Sequence, residues 1–166
     1  RFVSIKAAMT RKVLTTTPNT TVAKAAKVMA ERGVGSIVIV TGKKPVGILT
    51  ERDLLMKVVS ADLTPSKVRV DKIMSKPVTS ISPDSDIIEA ARLMAKNKIR
   101  RLPVVEHGNM VGIITTSDIS AISPELAETV TRTEVPAGEE IEESVCEVCG
   151  EVTTSLHEVN GTWVCE

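Results

Sequence analysis

The heptapeptide GILTERD at residues 47–53 decides the fold of this chain, because a closely similar heptapeptide, GIITTSD, returns at residues 112–118. Around this motif, residues 9–54 align with residues 74–119 at a constant offset of 65 positions and without a gap. A period of this length is typical of a duplicated small domain rather than of a solenoid repeat. Because related halves usually pack against each other, and ligand clefts commonly form between them, the repeat also predicts where a ligand would bind.

Each half is predicted to have the element order β-α-β-β-α, which places the chain in the α+β (α/β) class. In the first half, apolar residues at positions 22, 25, 26 and 29 have the spacing of an amphipathic helix, with Thr20 or Thr21 as its N-cap and Gly33 at its end. The same spacing recurs at positions 87, 90, 91 and 94, after Asp84 and Ser85 as candidate caps. A further helix is predicted near each motif aspartate, after β-rich runs at residues 36–40, 46–50, 102–105 and 111–115.

The composition disfavours a nucleic-acid-binding, membrane-bound or disulfide-rich protein. The 166 residues include 21 basic and 21 acidic side chains, so the net charge supplies no electrostatic reason for tight binding to nucleic acid or to a membrane surface. No apolar run approaches the length of about 18 residues that a membrane span needs, which predicts a soluble protein. All three cysteines lie at or after position 146, so the repeat holds no disulfide and a reducing, cytoplasmic setting is expected.

Beyond the heptapeptide, each half opens with Met-Thr or Met-Ser followed by a valine, and carries a proline before its first helix. With these features each half resembles a CBS domain, and the pair resembles a Bateman module, over roughly residues 5–122. The resemblance implies a first CBS domain at residues 5–60, a linker at 61–70 and a second CBS domain at 71–122. It also implies a homodimer formed through the CBS pair.

The threonine and aspartate of the motif are the candidate ligand-binding residues. An aspartate can accept hydrogen bonds from the two hydroxyls of a ribose, and a threonine three positions earlier can donate to a phosphate. In CBS pairs this motif is similar to the ribose and phosphate contact of adenosine nucleotides, which implies binding by Thr50, Asp53, Thr115 and Asp118. The alternative is that these side chains only cap the helix that follows.

The two halves differ at the positions just before their central strands. Arg100 and Arg101 precede the strand of the second half, whereas Gly35 and Ser36 hold the matching positions of the first. In nucleotide-binding relatives the aspartate of one half works with basic side chains of the other. We therefore hypothesise that the Asp53 cleft, completed by Arg100 and Arg101, holds phosphates and that the other cleft binds more weakly. Alternatively, both arginines are solvated or pair with surface acids.

The chain changes character after the repeat. Residues 123–144 are predicted to form a helix and an acidic linker, and residues 145–166 a small metal-binding unit. Cys146 and Cys149, followed by Gly150, have the spacing of a metal knuckle, and Asn160-Gly161 predicts the type I′ turn of a β-hairpin that carries Cys165. Fifteen residues separate Cys149 from Cys165. The unit resembles a zinc ribbon or a rubredoxin-like knuckle pair.

The sequence contains three cysteines, whereas such a metal site needs four ligands. A second knuckle would place a fourth cysteine two residues beyond Glu166, so we expect a terminus that continues past this residue. His157 is the substitute within the chain, and a redox or disulfide role for the cysteines is the alternative. Zinc is the default ion for a structural site of four thiolates, and iron suits the same geometry.

The sequence predicts a binding protein and not an enzyme. Its two histidines, His107 and His157, lie in a predicted turn and a predicted hairpin, and neither is paired with a nucleophile. The leading hypothesis is a regulatory module that senses an adenosine compound, with the metal knuckle contacting an unknown protein partner. The alternatives are a nucleic-acid-binding regulator, which the acidic tail disfavours, and an iron-containing electron carrier.

Overall fold

The structure is a computed structural model that describes residues 2–131 and 144–165. The chain divides into two compact units, Arg1–Glu134 and Val135–Glu166. The first unit contains both halves of the repeat, and the second contains the cysteines. The α+β class is therefore confirmed, with helices and short sheets in the first unit and two small hairpins in the second.

The first half combines a three-stranded sheet with helices. Strand β1 pairs in parallel with β2, and β2 pairs with β3 in an antiparallel hairpin. The hairpin covers the two β-rich runs that the sequence predicts and extends each of them. The elements are α1 (Ile5–Ala8), β1 (Thr15–Thr16), α2 (Val22–Arg32), β2 (Ser36–Thr41), β3 (Lys44–Thr50), α3 (Glu51–Leu54), a π-helix (Leu55–Val59) and a 3₁₀ turn (Pro65–Lys67).

The second half repeats this arrangement with one difference. Its predicted first strand is reduced to an isolated parallel bridge between Ile81 and Val104, so the prediction of a complete strand there was wrong. The flanking residues do not continue the ladder, because only Ile81 exchanges backbone hydrogen bonds with β4 there. The elements are a 3₁₀ turn (Val70–Lys72), α4 (Ile87–Asn97), β4 (Arg101–Glu106), β5 (Asn109–Thr115), α5 (Thr116–Ile122) and α6 (Pro124–Thr131).

The ends of the two long helices follow from local chemistry. Thr21 caps α2 by accepting from the Lys24 amide, and Gly33 ends it in the left-handed conformation with φ of 64°, both as predicted. For α4, the cap is Asp86 and not Asp84 or Ser85. The first helical residue is Ile87, so the cap is the residue directly before it. Asp86 has the extended backbone that a cap requires, and its carboxylate accepts from the Ile88 amide at 3.3 Å.

The two halves exchange their leading segments. Ile5 of α1 is fully buried in the core of the second half, and its amide donates to the Ser85 carbonyl at 2.8 Å. Conversely, Val70 and Ile73 are buried in the core of the first half. Each core therefore needs residues from both copies of the repeat, so the two halves form one folding unit. The cores comprise Val22, Ala25, Met29, Ile37, Ile39, Leu49, Val58, Val70 and Ile73 in the first, and Ile5, Ile81, Ile87, Ala90, Ala91, Met94, Leu102, Val104, Ile114, Ile119 and Val130 in the second.

The glycine that opens each heptapeptide lets these exchanged segments approach closely. Thr10 and Ile113 exchange two backbone hydrogen bonds of 2.8 and 2.9 Å, which brings the Thr10 carbonyl within 2.9 Å of the position that a Cβ on Gly112 would occupy. At Gly47 the neighbour is Met74, whose Sδ lies against the equivalent position. A larger residue at either glycine would separate the segments, which explains why both heptapeptides begin with glycine.

The described part of the second unit, residues 144–165, contains two hairpins. Strand β6 (Ser144–Val145) pairs with β7 (Val152–Thr153), and β8 (His157–Val159) pairs with β9 (Thr162–Val164). Asn160 and Gly161 have φ angles of 53° and 82°, as the predicted type I′ turn requires. Among the described residues, no helix is both long enough and apolar enough to cross a membrane.

Candidate functional site

The motif threonine and aspartate form a capping box at the start of a helix in each half. In the first half, Asp53 Oδ2 accepts from the Thr50 amide at 3.0 Å and from Thr50 Oγ1 at 3.1 Å. In the second, Asp118 Oδ2 accepts from the Thr115 amide at 2.9 Å and from Thr115 Oγ1 at 3.0 Å. The capping role is therefore present at both sites, but it occupies only one oxygen of each carboxylate. The other oxygen, Oδ1, is where the two sites differ.

At Asp118, Oδ1 accepts a hydrogen bond of 3.2 Å from Thr10 Oγ1, which belongs to the opening segment of the other half. At Asp53, Oδ1 accepts from Ser75 Oγ at 2.9 Å and also lies 2.9 Å from the Lys57 ammonium. Asp53 is the only buried polar or charged residue among the described part of the chain, with 5% of its surface exposed, whereas Asp118 is half-buried. Within the described residues, the Asp53 carboxylate is thus charge-paired and the Asp118 carboxylate is not.

A cleft of about 390 Å³ opens between the halves beside Thr115. Its volume lies within the usual range of about 300–1,000 Å³ for small-molecule sites. Basic and hydroxyl side chains line part of it, and aliphatic side chains line the rest. Asp118 lies next to it, because its partner Thr10 is one of the lining residues, which are Thr10, Lys12, Val13, Leu14, Val34, Gly35, Ser36, Val38, Arg100, Arg101, Ile113, Thr115, Thr116 and Ser117.

Both arginines predicted to bind phosphate line this cleft. Arg101 stands opposite Thr115 in the antiparallel pairing of β4 with β5, which is why it lies beside the motif of its own half. Its guanidinium reaches the first half, where Nη1 donates to the Gly35 carbonyl at 3.0 Å. Burial lowers the pKa of Arg101, the nearby Glu51 opposes this effect, and Arg100 adds to it. The arginines therefore line a cleft that Thr115 also lines. Asp53, with which the sequence-based hypothesis pairs them, is not one of its lining residues.

Four residues of these sites were missed from the sequence. Thr10 and Ser75 hydrogen-bond the two aspartates, Lys12 lines the cleft, and Lys57 pairs with Asp53. For Thr10 and Ser75 a signal was available, since both are hydroxyl residues that follow the methionine at the start of a repeat. The role of Lys57 had no such signal, because the matching residue of the second half, Ile122, is apolar.

The structure brings the three cysteines together as predicted. The Sγ atoms of Cys146, Cys149 and Cys165 all lie within 4.8 Å of one another, and those of Cys149 and Cys165 are 3.6 Å apart. Gly150 makes the predicted turn, with φ of 77° and its amide donating to the Cys146 carbonyl at 2.9 Å. The Cys165 amide donates to Cys146 Sγ at 3.4 Å. The cysteine cluster is therefore a candidate metal site.

The donor set fits a thiolate-bound ion. Zinc–sulfur bonds of about 2.3 Å place the sulfur atoms of a tetrahedral site about 3.8 Å apart, close to the 3.6 Å between the Sγ atoms of Cys149 and Cys165. Amide hydrogen bonds from Cys149, Cys165 and Val148 lower the pKa of Cys146 to about 6, whereas hydrogen bonding to the thiols of Cys149 and Cys146 raises that of Cys165 to about 11. Among the described residues, the group close enough to share an ion contains the three cysteines and not His157, the alternative fourth ligand.

Comparison with known proteins agrees with this architecture. The CBS domain family matches residues 5–60 and 70–125. The uncharacterized protein MK0525 of Methanopyrus kandleri is 40% identical over 176 residues, an alignment that covers 99% of this chain and 90% of that protein.

Two solved structures extend the comparison. A conserved CBS domain protein of Thermoplasma acidophilum, of unknown function, is similar with a TM-score of 0.75 and 26% identity over 90% of this chain and 84% of its own. The CBS domain pair of protein MJ0100, in complex with 5′-methylthioadenosine and S-adenosyl-L-methionine, is similar with a TM-score of 0.66 and 28% identity over 72% of this chain and 98% of its own. The repeat of residues 5–125 and its fold thus show that this chain belongs to the CBS domain family, as a tandem pair of CBS domains.

Proposed function

We propose that this chain is a regulatory module that senses an adenosine nucleotide in the cleft beside Thr115. The observation that carries the proposal is a cleft with three basic side chains and an aliphatic wall, beside which the half-buried Asp118 carboxylate lies. Asp118 would accept the ribose hydroxyls, and Lys12 and Arg101 would bind phosphate. The adenine would pack against aliphatic side chains such as Val13 and Leu14.

The related CBS pair of MJ0100 supports an adenosine compound as the ligand class. The charges of this cleft favour a phosphorylated adenosine over S-adenosyl-L-methionine, because Lys12, Arg100 and Arg101 attract phosphate and repel a positively charged sulfonium. We therefore assign the phosphates to the Thr115 cleft and not, as hypothesised from the sequence, to the Asp53 cleft. A ligand would regulate the module only to the extent that it binds one of two conformations more tightly.

Calorimetric titration with AMP, ADP and ATP tests the ribose contact. We expect Asp118→Ala to weaken binding about 10- to 100-fold, because hydrogen bonds to a charged group contribute about 1.5–3 kcal/mol. The matched control is Asp53→Ala, which removes the same capping box from the other half and should leave the affinity nearly unchanged. Equal losses in the two variants, or no binding heat from the unmodified chain, would contradict the proposal.

The phosphate contact can be tested separately at Lys12, an exposed residue of the cleft. We expect Lys12→Met to weaken AMP binding about threefold to tenfold while leaving adenosine binding unchanged, because only AMP carries the phosphate charge. The difference should shrink as the salt concentration rises. Lys44→Met, an exposed position in β3 that does not line the cleft, is the control. A similar loss for adenosine would show that Lys12 contacts another part of the ligand.

For the second unit, we propose a structural role for one cysteine-bound ion, zinc or iron, with the knuckle contacting a protein partner. Exposed apolar side chains support a contact surface, and they are Val145, Val148, Val152, Val159 and Trp163. Residues 134–166 contain acidic residues and no lysine or arginine, which disfavours nucleic acid as the partner. Metal analysis distinguishes zinc from iron, and visible absorption would reveal the iron of an electron carrier. The homodimer, the cytoplasmic location and the absence of catalysis stay predictions.

A further inference from the structure

We propose that the ammonium of Lys57 blocks the free acceptor position of the Asp53 carboxylate, so that the chain binds nucleotide at only one of its two motif aspartates. The inference rests on the proposed function, because it assumes that the motif aspartate accepts the ribose hydroxyls. It adds a residue that determines the number of binding sites. The relevant contacts lie in the first half and in the segment that leads into the second.

The first step is the number of hydrogen bonds that each carboxylate accepts. A carboxylate offers about four acceptor positions. Asp53 accepts three hydrogen bonds, from the Thr50 amide, Thr50 Oγ1 and Ser75 Oγ, and its Oδ1 also forms an ion pair with the Lys57 ammonium. Within the described residues, Asp118 likewise accepts three hydrogen bonds, from Thr115 and Thr10, but no ammonium pairs with it. A ribose hydroxyl can therefore use the remaining acceptor position of Asp118 freely, whereas at Asp53 it must compete with Lys57.

The second step is the geometry of Lys57. Its Nζ lies 2.9 Å from Asp53 Oδ1 and also donates to the Ile73 carbonyl at 2.9 Å. The ammonium thus joins the helix after the first motif to the segment that opens the second half, which also supplies Ser75. The Asp53 side chain is only 7% exposed, whereas that of Lys57 is 44% exposed. A ribose that reached Oδ1 would therefore have to compete with an ammonium that already contacts it.

The third step is the difference between the helices that follow the two motifs. In the first half the helix widens into a π-helix, in which the Ser60 amide donates to the Leu55 carbonyl five residues earlier. Single π-helical turns are rare and frequently occur at functional sites. In the second half α5 keeps its α-helical spacing, with the Ser123 amide donating to the Ile119 carbonyl. The residue that matches Lys57 is Ile122, which is 44% exposed and offers no donor.

Electrostatics determine whether the Lys57 ammonium or a ribose hydroxyl binds the Asp53 carboxylate. A hydrogen bond between an ammonium and a carboxylate is roughly twice as strong as one between neutral groups, and a mostly buried carboxylate is costly to leave without a counter-charge. A neutral ribose hydroxyl that displaced Lys57 would remove that counter-charge from Asp53. The phosphates of a nucleotide do not replace it, since they are themselves negative. Lys57 thus outcompetes the ribose for the Asp53 oxygen.

Exchanging the two matched residues tests this inference, with AMP titrated into each full-length variant by calorimetry. We expect the unmodified chain to bind one AMP and Lys57→Met, which keeps the aliphatic stem but removes the charge, to bind two. Lys57→Arg retains the charge and should still bind one. Ile122→Lys places an ammonium at the matching distance in sequence from Asp118 and should weaken binding at least tenfold. Thermal unfolding of each variant checks that it is folded at the titration temperature.

The outcomes separate this inference from the proposed function. One AMP bound by both the unmodified chain and Lys57→Met, or two bound by the unmodified chain, would overturn the role of Lys57 and leave the proposed function standing. If Lys57→Met bound one AMP and the unmodified chain bound none, the result would support the blocking role of Lys57 and overturn the assignment of the ribose to Asp118. No binding by either would overturn both. Should Lys57→Met be unfolded, Ile122→Lys decides, because it leaves Asp53 untouched and unweakened binding by it overturns the inference.

Discussion

Replacing Cys146 with serine should abolish the ordered structure of residues 144–165 while residues 2–131 stay folded. Among the described residues of the second unit, Cys146 is the only buried hydrophobic side chain, so the unit has almost no apolar core. A unit of this size usually needs a metal or a disulfide to fold, and structural zinc contributes about 10–16 kcal/mol in small zinc-binding peptides. Serine removes both a thiolate ligand and the acceptor of the Cys165 amide.

The measurement combines metal analysis with the fluorescence of Trp163, the single tryptophan of a chain that has no tyrosine. We expect Cys146→Ser, or removal of metal by a chelator, to shift the Trp163 emission to that of a solvated indole. The helical circular dichroism of the first unit should be retained. The matched control is Val148→Ala, a change at a 75% exposed position between the two knuckle cysteines. A metal content and an emission unchanged by Cys146→Ser would contradict the metal-dependent fold.

Replacing Gly112 with alanine should lower the free energy of unfolding of the CBS pair by about 1–3 kcal/mol, the usual cost of inserting a methyl group into a packed region. The new Cβ would lie 2.7 Å from Met9 Sδ and 2.9 Å from the Thr10 carbonyl oxygen. A methionine side chain can move away, but the carbonyl belongs to the bridge between Thr10 and Ile113 and cannot. Denaturant unfolding followed by circular dichroism measures the change.

The equivalent glycine of the first half supplies the control. Around Gly47 the three nearest atoms all belong to the Met74 side chain. We therefore expect Met74→Ala to relieve the strain of Gly47→Ala in a double-mutant cycle, whereas Met9→Ala should leave most of the cost of Gly112→Ala. The same relief at both glycines would show that the backbone contact with Thr10 is unimportant. Because Thr10 lines the cleft, Gly112→Ala should also weaken AMP binding.

Much of the fold could be predicted because it depends on neighbouring residues. The apolar spacing of α2, its cap at Thr21 and the turn at Asn160-Gly161 are all determined within a few positions. The wrong prediction of the α4 cap is of the same local kind, since Asp84, Ser85 and Asp86 are three consecutive polar candidates and the start of the helix at Ile87 selects the last of them. The cysteine cluster was also predictable, because knuckle spacing and a hairpin of known turn type bring the thiols together.

The candidate ligand site could be predicted only in part. Each heptapeptide marks a threonine and an aspartate at a helix start, and both capping boxes formed. The partners of the aspartates lie much farther along the chain, with Ser75 22 positions from Asp53 and Thr10 108 positions from Asp118. A local pattern does not specify contacts at such separations. The pairing of Arg101 with Thr115 follows from the hairpin register, which the sequence-based hypothesis did not use.

The duplication is evident in the sequence as a constant offset of 65 positions, the cysteine knuckle as a ligand spacing, and the CBS fold as the resemblance that the repeated heptapeptide carries. The donors around each motif aspartate are evident only in the folded chain. Exchange of the leading segments places Thr10 beside Asp118 and Ser75 beside Asp53, and within the described residues Lys57 pairs with Asp53 alone. A carboxylate's availability depends on every donor around it, and packing brings those donors from distant parts of the chain.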